Sequence, residues 1–348
     1  MTIARAEIVD PDTPLFYHLV SRCVRRSWLC GFDHLSQTDF SHRRRWLIDR
    51  MHHLARFFAV QVHAYAIMSN HFHLVVFFDP TASRQWSHHE IIRRWCGAFP
   101  PLRDGQLDQE RLRALREALL NDLACGRLER IERLRAVLGS MSQFMKHLKQ
   151  PISLRANRED RCKGHFFEGR FYSGALLDEQ SVLAAMAYVD LNPLRAKVAR
   201  CIEQCADTSI EQRLQCLANH PDRLAKAMHP LVSGLEHDQN QRDELDPSLS
   251  SQPCDERPFA LALTLDDYLE HLQTVIADLR GEPLRTDTAR DWVASVKALA
   301  RHQHAYGSDE RLAAWYGKRG FRVPQKNTDA KVPRRQGAEF SDVPVKEK

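Results

Sequence analysis

The sequence predicts an α+β fold built on an antiparallel sheet, and three observations indicate it. Two apolar runs, residues 59–68 and 71–78, flank Ser69-Asn70, and Asn tolerates the positive φ that a tight hairpin requires. Leu15–Val24 is rich in β-forming residues and predicts a further strand. His42–Phe58 repeats its apolar residues at helical spacing, which predicts a helix between the first strand and the hairpin.

The rest of the chain predicts mostly helices. Residues 79–140 interrupt the strand pattern with charged segments of helical period and indicate a helical insertion. Helices are also predicted over Ser142–Ala156 and after Asp178, a good N-cap, with a Gly- and aromatic-rich hairpin between them. We expect a first domain over 1–215, a linker over 216–257, a helical accessory region over 258–322 and a disordered tail over 323–348.

Composition excludes several classes of protein. The 348 residues are 43% hydrophobic, which is enough for a core, yet no apolar run reaches the 18 or so residues of a transmembrane helix. The nine cysteines include no Cys-x-x-Cys pair, which argues against a disulfide framework or a structural zinc. We therefore expect a cytoplasmic protein that does not bind membranes.

Charge is distributed unevenly along the chain. Residues 1–200 contain 30 Lys and Arg against 21 Asp and Glu, whereas the whole chain has a net charge of +5. A basic first half suits a protein that binds the phosphate backbone of nucleic acid. A mildly basic domain is also common in proteins that bind no nucleic acid, so charge alone leaves both interpretations open.

A His-x-His pair stands on the second strand of the hairpin. Side chains alternate along a strand, so His71 and His73 share one face about 7 Å apart, while Phe72 and Leu74 share the other. Two such imidazoles can bind one divalent ion with a further ligand from elsewhere. The alternative is a pair of partly buried, hydrogen-bonded histidines.

The helix after Asp178 carries a Tyr and an Asn four residues apart, Tyr188 and Asn192, which lie on one face at its end. If this helix packs across the sheet, the two histidines and the Asn192 oxygen can hold Mg²⁺ or Mn²⁺. The ion would polarise a phosphodiester, and the Tyr188 hydroxyl would attack its phosphorus.

Cationic side chains near these elements are candidates for contacts with DNA phosphates. Three arginines lie in the first turn of the His42 helix, where the helix dipole disfavours positive charge. They either bind a ligand or form an ordinary solvent-exposed face. The candidate DNA-binding residues are Arg22, Arg25, Arg26, Arg43, Arg44, Lys163, Arg170 and Arg195.

The chain resembles the single-tyrosine HUH transposases, specifically the REP-associated tyrosine transposases of bacteria. The resemblance covers roughly residues 12–215, and the combination of its motifs is specific although no single motif is. The motifs are Tyr17–Arg22, His42–Arg44, Ala64–His73, Phe167–Phe171 and Tyr188–Ala196.

This resemblance implies a ferredoxin-like (RRM-like) antiparallel sheet with helices on one face. It implies cleavage of single-stranded DNA at hairpins of repetitive extragenic palindromes, leaving a 5′-phosphotyrosine link and a free 3′-OH. By the family pattern Tyr188 is the nucleophile, His71 and His73 are metal ligands, and Asn192 matches the position of a polar third ligand. Tyr172, near the Gly-Arg-Phe motif, offers a second tyrosine where the pattern places no nucleophile.

Two other functions remain open at this point. An RRM-like module could bind structured nucleic acid without cutting it, and would need the basic first half but not the His pair or Tyr188. A domesticated copy could act as a host regulator. We expect a monomer associated with the nucleoid.

Overall fold

The structure is a computed structural model that describes residues 5–10, 12–24, 29–33, 36–232 and 259–321. Its central feature is a sheet of five strands in the order β5-β4-β1-β3-β2, in which β5 runs parallel to β4 and the other neighbours are antiparallel. The strands are β1 (Leu15–Arg22), β2 (Val60–Ile67), β3 (His71–Phe78), β4 (Tyr172–Leu176) and β5 (Ala305–Tyr306).

Ten helices of ten or more residues surround the sheet in the described ranges. They are α1 (His42–Ala55), α2 (His88–Ala98), α3 (Gln109–Ala124), α4 (Glu129–Leu138), α5 (Met141–Glu159), α6 (Glu179–Asp190), α7 (Ser209–Asn219), α8 (Leu265–Leu279), α9 (Asp287–Ala298) and α10 (Asp309–Lys318). Shorter helical segments are Arg5–Ile8, Ala82–Gln85, Asn192–Arg195, Ile202–Gln204, Pro221–Arg223 and Leu299–Arg301. Short strands pair Phe32–Asp33 with Thr38–Asp39, Leu102–Arg103 with Gln106–Leu107, and Ala227–Met228 with Leu261–Thr264.

The prediction of an α+β fold is confirmed, including its ferredoxin-like core. The elements β1-α1-β2-β3-α5-β4 follow one another in the chain, and their strands lie in the order β4-β1-β3-β2. Helices α1 and α5 pack together on one face, where Leu47 and Phe144 meet Leu19 and Leu74 in a continuous apolar core. Helices α2, α3 and α4 fill the insertion between β3 and α5.

The β2–β3 hairpin sets which side chains face which way. Ser69 and Asn70 form its two-residue loop, and the Met68 N–H donates to the His71 carbonyl at 2.8 Å. Phe72 is then fully buried towards α1 and α5. Because alternate residues of a strand point to opposite faces, His71 and His73 point away from that core.

The second face of the sheet is also covered by helices, so the expectation of helices on one face only is corrected. Val75 on β3 packs with Met186 on α6, Tyr268 on α8 and Trp292 on α9 in a second apolar core. Helix α6 begins at a capping box in which Asp178 accepts from the Ser181 N–H at 2.8 Å. Burial of this face places α6 directly across the end of β3 that carries the histidines.

The C-terminal region is built into the same sheet. Strand β5 pairs with β4, where the Ala175 N–H donates to the His304 carbonyl and the Leu177 N–H donates to the Tyr306 carbonyl, both at 2.9 Å. Helix α9 packs on α6. The segment assigned from sequence as an accessory region therefore supplies the edge strand, and residues 216–232 of the assigned linker complete α7 and pair with β2 through Val232. The remainder of that linker and the predicted tail lie outside the described residues.

The segment predicted as a hairpin, Arg158–Leu177, is not one. It contains only β4 and an isolated bridge from Phe167 to Cys23 at the end of β1. Phe166 and Phe167 are buried in the first core, so these aromatic side chains contribute to apolar packing of the fold. Across the described ranges no helix combines the length and the apolar character that a bilayer span requires.

Candidate active site

Three histidines meet on the second face of the sheet. Strands β1 and β3 place Val20 opposite His73 and Arg22 opposite His71, so His18 lies diagonally next to His73. The His18 and His73 rings are stacked at 5.2 Å, and His18 Nε2 lies 3.0 Å from His73 Nδ1. Both side chains are almost wholly buried, whereas His71 at the strand end is half-buried.

Tyr188 reaches this cluster from α6. Its ring centroid lies 5.7 Å from that of His73 and 5.8 Å from that of His18, edge to face in both cases. Burial raises the pKa of the Tyr188 phenol, while the guanidiniums of Arg195 and Arg22 act to lower it. The Arg195 guanidinium carbon lies 4.6 Å from the centre of the Tyr188 ring.

Asn192 joins the same group. Helix α6 ends at Asp190, and Asn192 opens the short helical segment that Pro193 continues. Its side-chain Nδ2 lies 3.4 Å from His73 Nε2, and the residue is buried. The structure therefore brings together Tyr188, Asn192 and His73, which are separated by up to 119 positions in the chain.

Hydrogen bonds define which ring nitrogens face the site. The His71 Nδ1–H donates to Asn70 Oδ1 at 2.6 Å, which leaves the lone pair on His71 Nε2. His73 Nε2 faces the Asn192 carboxamide, and in the tautomer with the proton on Nδ1 His73 donates to His18 Nε2. Both residues of the His-x-His pair thus present an Nε2 lone pair, and a metal-ligating histidine typically donates its other ring N–H in this way.

The donor set fits a divalent ion if Asn192 takes part. Burial lowers the pKa of His71 to about 4 and that of His73 well below its usual value, so both imidazoles are neutral, as metal ligands must be. No three His, Cys, Asp or Glu side chains of the described residues are arranged to hold a metal. The candidate for a third protein ligand is the Asn192 oxygen, which a half-turn of the carboxamide would place where its nitrogen lies.

The one measured spacing permits the same set. Two ligands of one Mg²⁺ ion, each about 2.1 Å from it, lie about 3 Å apart in octahedral geometry. The 3.4 Å between His73 Nε2 and the Asn192 amide is close to this value. A metal at this place would bind His71, His73 and Asn192.

A buried carboxylate holds α6 in position. Asp190, two residues beyond Tyr188, is fully buried and accepts from the Ser209 hydroxyl and from the Ile210 N–H at 2.9 Å. The Tyr268 hydroxyl of α8 donates to its other oxygen at 2.7 Å. The end of α6 that carries Tyr188 is therefore tied to α7 and to the C-terminal region.

A second tyrosine lies beside the histidines but is already engaged. The Tyr172 ring is 5.8 Å from that of His18, and its hydroxyl donates to the Gln303 carbonyl and pairs with the Tyr306 hydroxyl at 2.9 Å. His302, in a left-handed conformation at φ 50°, stacks on Tyr172 at 4.7 Å. These contacts orient the Tyr172 hydroxyl towards β5 and leave it poorly placed to act as a nucleophile.

The predicted DNA-binding cations fall into distinct groups. Arg22, Lys163 and Arg170 are exposed, and Arg195 is half-buried against Tyr188. The loop that carries Lys163 and Arg170 adjoins β1, because the Glu168 N–H donates to the Arg22 carbonyl at 2.7 Å. Arg25 and Arg26 lie outside the described residues.

The assignment of Arg43 to DNA is wrong. Its side chain is fully buried, donates to Glu159 at 2.8 Å and pairs with Asp160, so no phosphate can reach it. Arg44 is partly exposed and pairs with Asp207 at 3.1 Å, which leaves only part of its guanidinium to a ligand. Both therefore act first in holding α1 to neighbouring segments.

Comparisons with known proteins add little to this geometry. No protein-family model matches the chain, and no curated protein matches its sequence. Among solved structures it is similar to one described as "Structure of the REP associates tyrosine transposase bound to a REP hairpin", at 11% sequence identity and a TM-score of 0.31. The match covers 62% of this chain and 86% of that chain. At this identity and TM-score, neither a family nor an activity follows for this protein.

Proposed function

We propose that the protein is a metal-dependent single-strand DNA endonuclease and transposase that cleaves and rejoins REP-like hairpin DNA through Tyr188. The observation that carries this proposal is the position of the Tyr188 ring, 5.7 Å from the His73 ring within a buried cluster. A phenol, two neutral imidazoles and a carboxamide on one face form a nucleophile beside a site for a hard cation.

The reaction balances with these groups. Tyr188 Oη gives up its proton to solvent and forms a bond to the phosphorus, the bond from phosphorus to the 3′-oxygen breaks, and that oxygen takes up one proton from solvent as a free 3′-OH, so protons balance. The 5′-phosphotyrosine keeps the bond energy, so attack by a 3′-OH reverses the step and joins strands. A divalent ion bound by His71, His73 and Asn192 would polarise the phosphodiester and stabilise charge on the leaving oxygen.

An RRM-like binding module fits the structure less well. Such modules bind single strands on an exposed sheet face whose aromatic residues stack on the bases. Here α1 and α5 cover one face, and α6, α8 and α9 cover the other. The exposed cations at the end of β1 suit a strand that crosses this edge of the sheet and reaches Tyr188 from there.

Adduct formation tests the proposal. Wild-type protein is incubated with Mn²⁺ and single-stranded oligonucleotides that carry the palindromes flanking its gene, and covalent complexes are resolved on a denaturing gel. We expect an adduct that EDTA abolishes and that Tyr188→Phe cannot form, although Tyr188→Phe still binds the DNA. Tyr172→Phe is the matched control and should retain the adduct. An adduct formed by Tyr188→Phe would refute the assignment of the nucleophile.

A further inference from the structure

Two guanidiniums at the Tyr188 site have no carboxylate partner among the residues that the structure describes. Arg43 and Arg44, on α1, are both held by acidic side chains. Within the described part of the chain, Arg22 and Arg195 form no ion pair with any acidic residue. Cations that no described acidic residue neutralises, at the mouth of a buried site, attract an anion.

Arg195 lies directly on the proposed nucleophile. Its guanidinium carbon is 4.6 Å from the centre of the Tyr188 ring, and the side chain is only half-buried. A guanidinium can stack through its flat face and still donate hydrogen bonds from its edge. Arg195 can thus contact the ring and an anion next to the phenolic oxygen at the same time.

Arg22 approaches from a different element. It is the last residue of β1, pairs across the sheet with His71, and shares its face with His18. Arg22 lies opposite His71 in the sheet, and the His71 ring is 4.9 Å from the His73 ring. The His73 ring in turn contacts Tyr188. The Arg22 side chain is exposed at the end of the strand, on the face that carries the histidines.

We propose that Arg22 and Arg195 form a clamp that binds the one phosphate attacked by Tyr188 and stabilises the charge that develops on its non-bridging oxygens. This inference rests on the proposed function and extends it, because it makes both arginines catalytic residues rather than general contacts with the DNA backbone. Preorganised donors aimed at developing charge are worth a factor of about 100 or more in rate each. Arg170 and Lys163, further along the same edge, contact other phosphates and affect binding only.

The first test separates rate from binding. Single-turnover adduct formation is measured at saturating oligonucleotide for Arg22→Ala, Arg195→Ala, Arg195→Lys and Arg170→Ala, with Arg290→Ala on the exposed surface of α9 as the charge control. We expect Arg22→Ala and Arg195→Ala to lower the saturated rate about 100-fold, and Arg195→Lys to recover only part of it. Arg170→Ala should weaken binding without changing the saturated rate.

The second test needs neither cleavage nor metal. In a Tyr188→Phe background with EDTA, binding is measured for oligonucleotides in which a neutral methylphosphonate replaces each phosphodiester in turn. A clamp predicts one linkage at which the replacement weakens binding about 10-fold. In Arg22→Ala and in Arg195→Ala, the same replacement at this linkage should weaken binding much less. Replacements elsewhere should weaken binding equally in all variants.

The outcomes distinguish the clamp from the proposed activity. If the adduct forms but no linkage shows this behaviour, or if both arginine variants keep the wild-type saturated rate, the clamp is wrong and the nuclease assignment stands. If the linkage is found but no adduct forms, the clamp is a phosphate-binding site and the proposed chemistry is wrong.

Discussion

His18 Nε2 lies 3.0 Å from His73 Nδ1, and the two imidazole rings are stacked within a fully buried pocket. This contact holds the His73 ring with its Nε2 3.4 Å from the Asn192 carboxamide nitrogen. Loss of a hydrogen-bond partner behind a metal-ligating histidine typically costs about 10- to 100-fold in metal affinity or activity.

We therefore expect His18→Phe to lower the rate of adduct formation by about 10-fold or more, while DNA binding in EDTA stays unchanged. His18→Gln keeps a side-chain acceptor and should recover part of the rate. Mn²⁺ affinity, measured by electron paramagnetic resonance, provides a readout independent of cleavage. Equal Mn²⁺ affinity and rate in His18→Phe and wild type would show that His18 only fills space.

Tyr268→Phe tests the anchor of α6. The substitution removes one donor to a fully buried carboxylate and changes little else in volume. We expect a loss of about 1–3 kcal/mol in the free energy of unfolding, measured by urea denaturation. Tyr316→Phe is a suitable control because, within the described residues, the Tyr316 hydroxyl donates to no carboxylate. A Tyr268→Phe protein as stable as wild type would mean that Ser209 and Ile210 suffice to satisfy Asp190.

Arg43→Met tests the reassigned arginine. It leaves Glu159 and Asp160 without their buried partner, and breaking a pair of this kind costs about 3 kcal/mol of unfolding free energy. DNA affinity of the folded variant should equal that of wild type. Arg45→Met, at the exposed surface of the same helix, is the control and should scarcely change stability. Weaker DNA binding by folded Arg43→Met would reinstate its role as a DNA contact.

Acid should destabilise the protein through His63. This residue is fully buried, neither ring nitrogen has a hydrogen-bond partner among the described residues, and burial, with the nearby Arg213, lowers its pKa to about 3. The unfolded chain binds its proton near pH 6.5, so the stabilising effect of the neutral ring is present above that pH and is lost as the pH falls towards 3.

Between pH 7.5 and pH 5, wild type should lose about 2 kcal/mol more unfolding free energy than His63→Leu, because only wild type must keep His63 neutral. Urea denaturation at the two pH values measures this difference. The matched control is His89→Leu, at an exposed helical position. A constant difference across this range would show that His63 is not responsible for the acid sensitivity.

Local patterns revealed the elements of the site, but contacts between distant segments were not visible in them. Alternation along β3 placed His71 and His73 on one face, and the spacing of Tyr188 and Asn192 placed both close to the point where α6 ends and the next helical segment begins. His18 is part of the same alternation on β1, yet its contact with His73 depends on a register across 55 residues. No local signal encodes that register, so only the folded sheet reveals it.

The arginines of α1 show a second reason. Neighbours on a helix point in directions about 100° apart, so Arg43 can be buried while Arg45 is exposed. A charged residue taken alone predicts a solvent-exposed position. The acidic partners that allow Arg43 to be buried lie 116 and 117 positions away in the chain. Strand β5 has two residues, too few for any periodic pattern.

The parallel pairing of β5 with β4 has a consequence for how this protein can be divided. A chimera that joined residues 1–232 to a foreign C-terminus would leave the N–H groups of Ala175 and Leu177 without their acceptors and Asp190 without its Tyr268 donor. Recombination that exchanges C-terminal halves would thus damage the half it retains. The two parts are expected to be inherited together. We expect separately expressed fragments 1–232 and 259–348 to recover the native arrangement only when they are mixed.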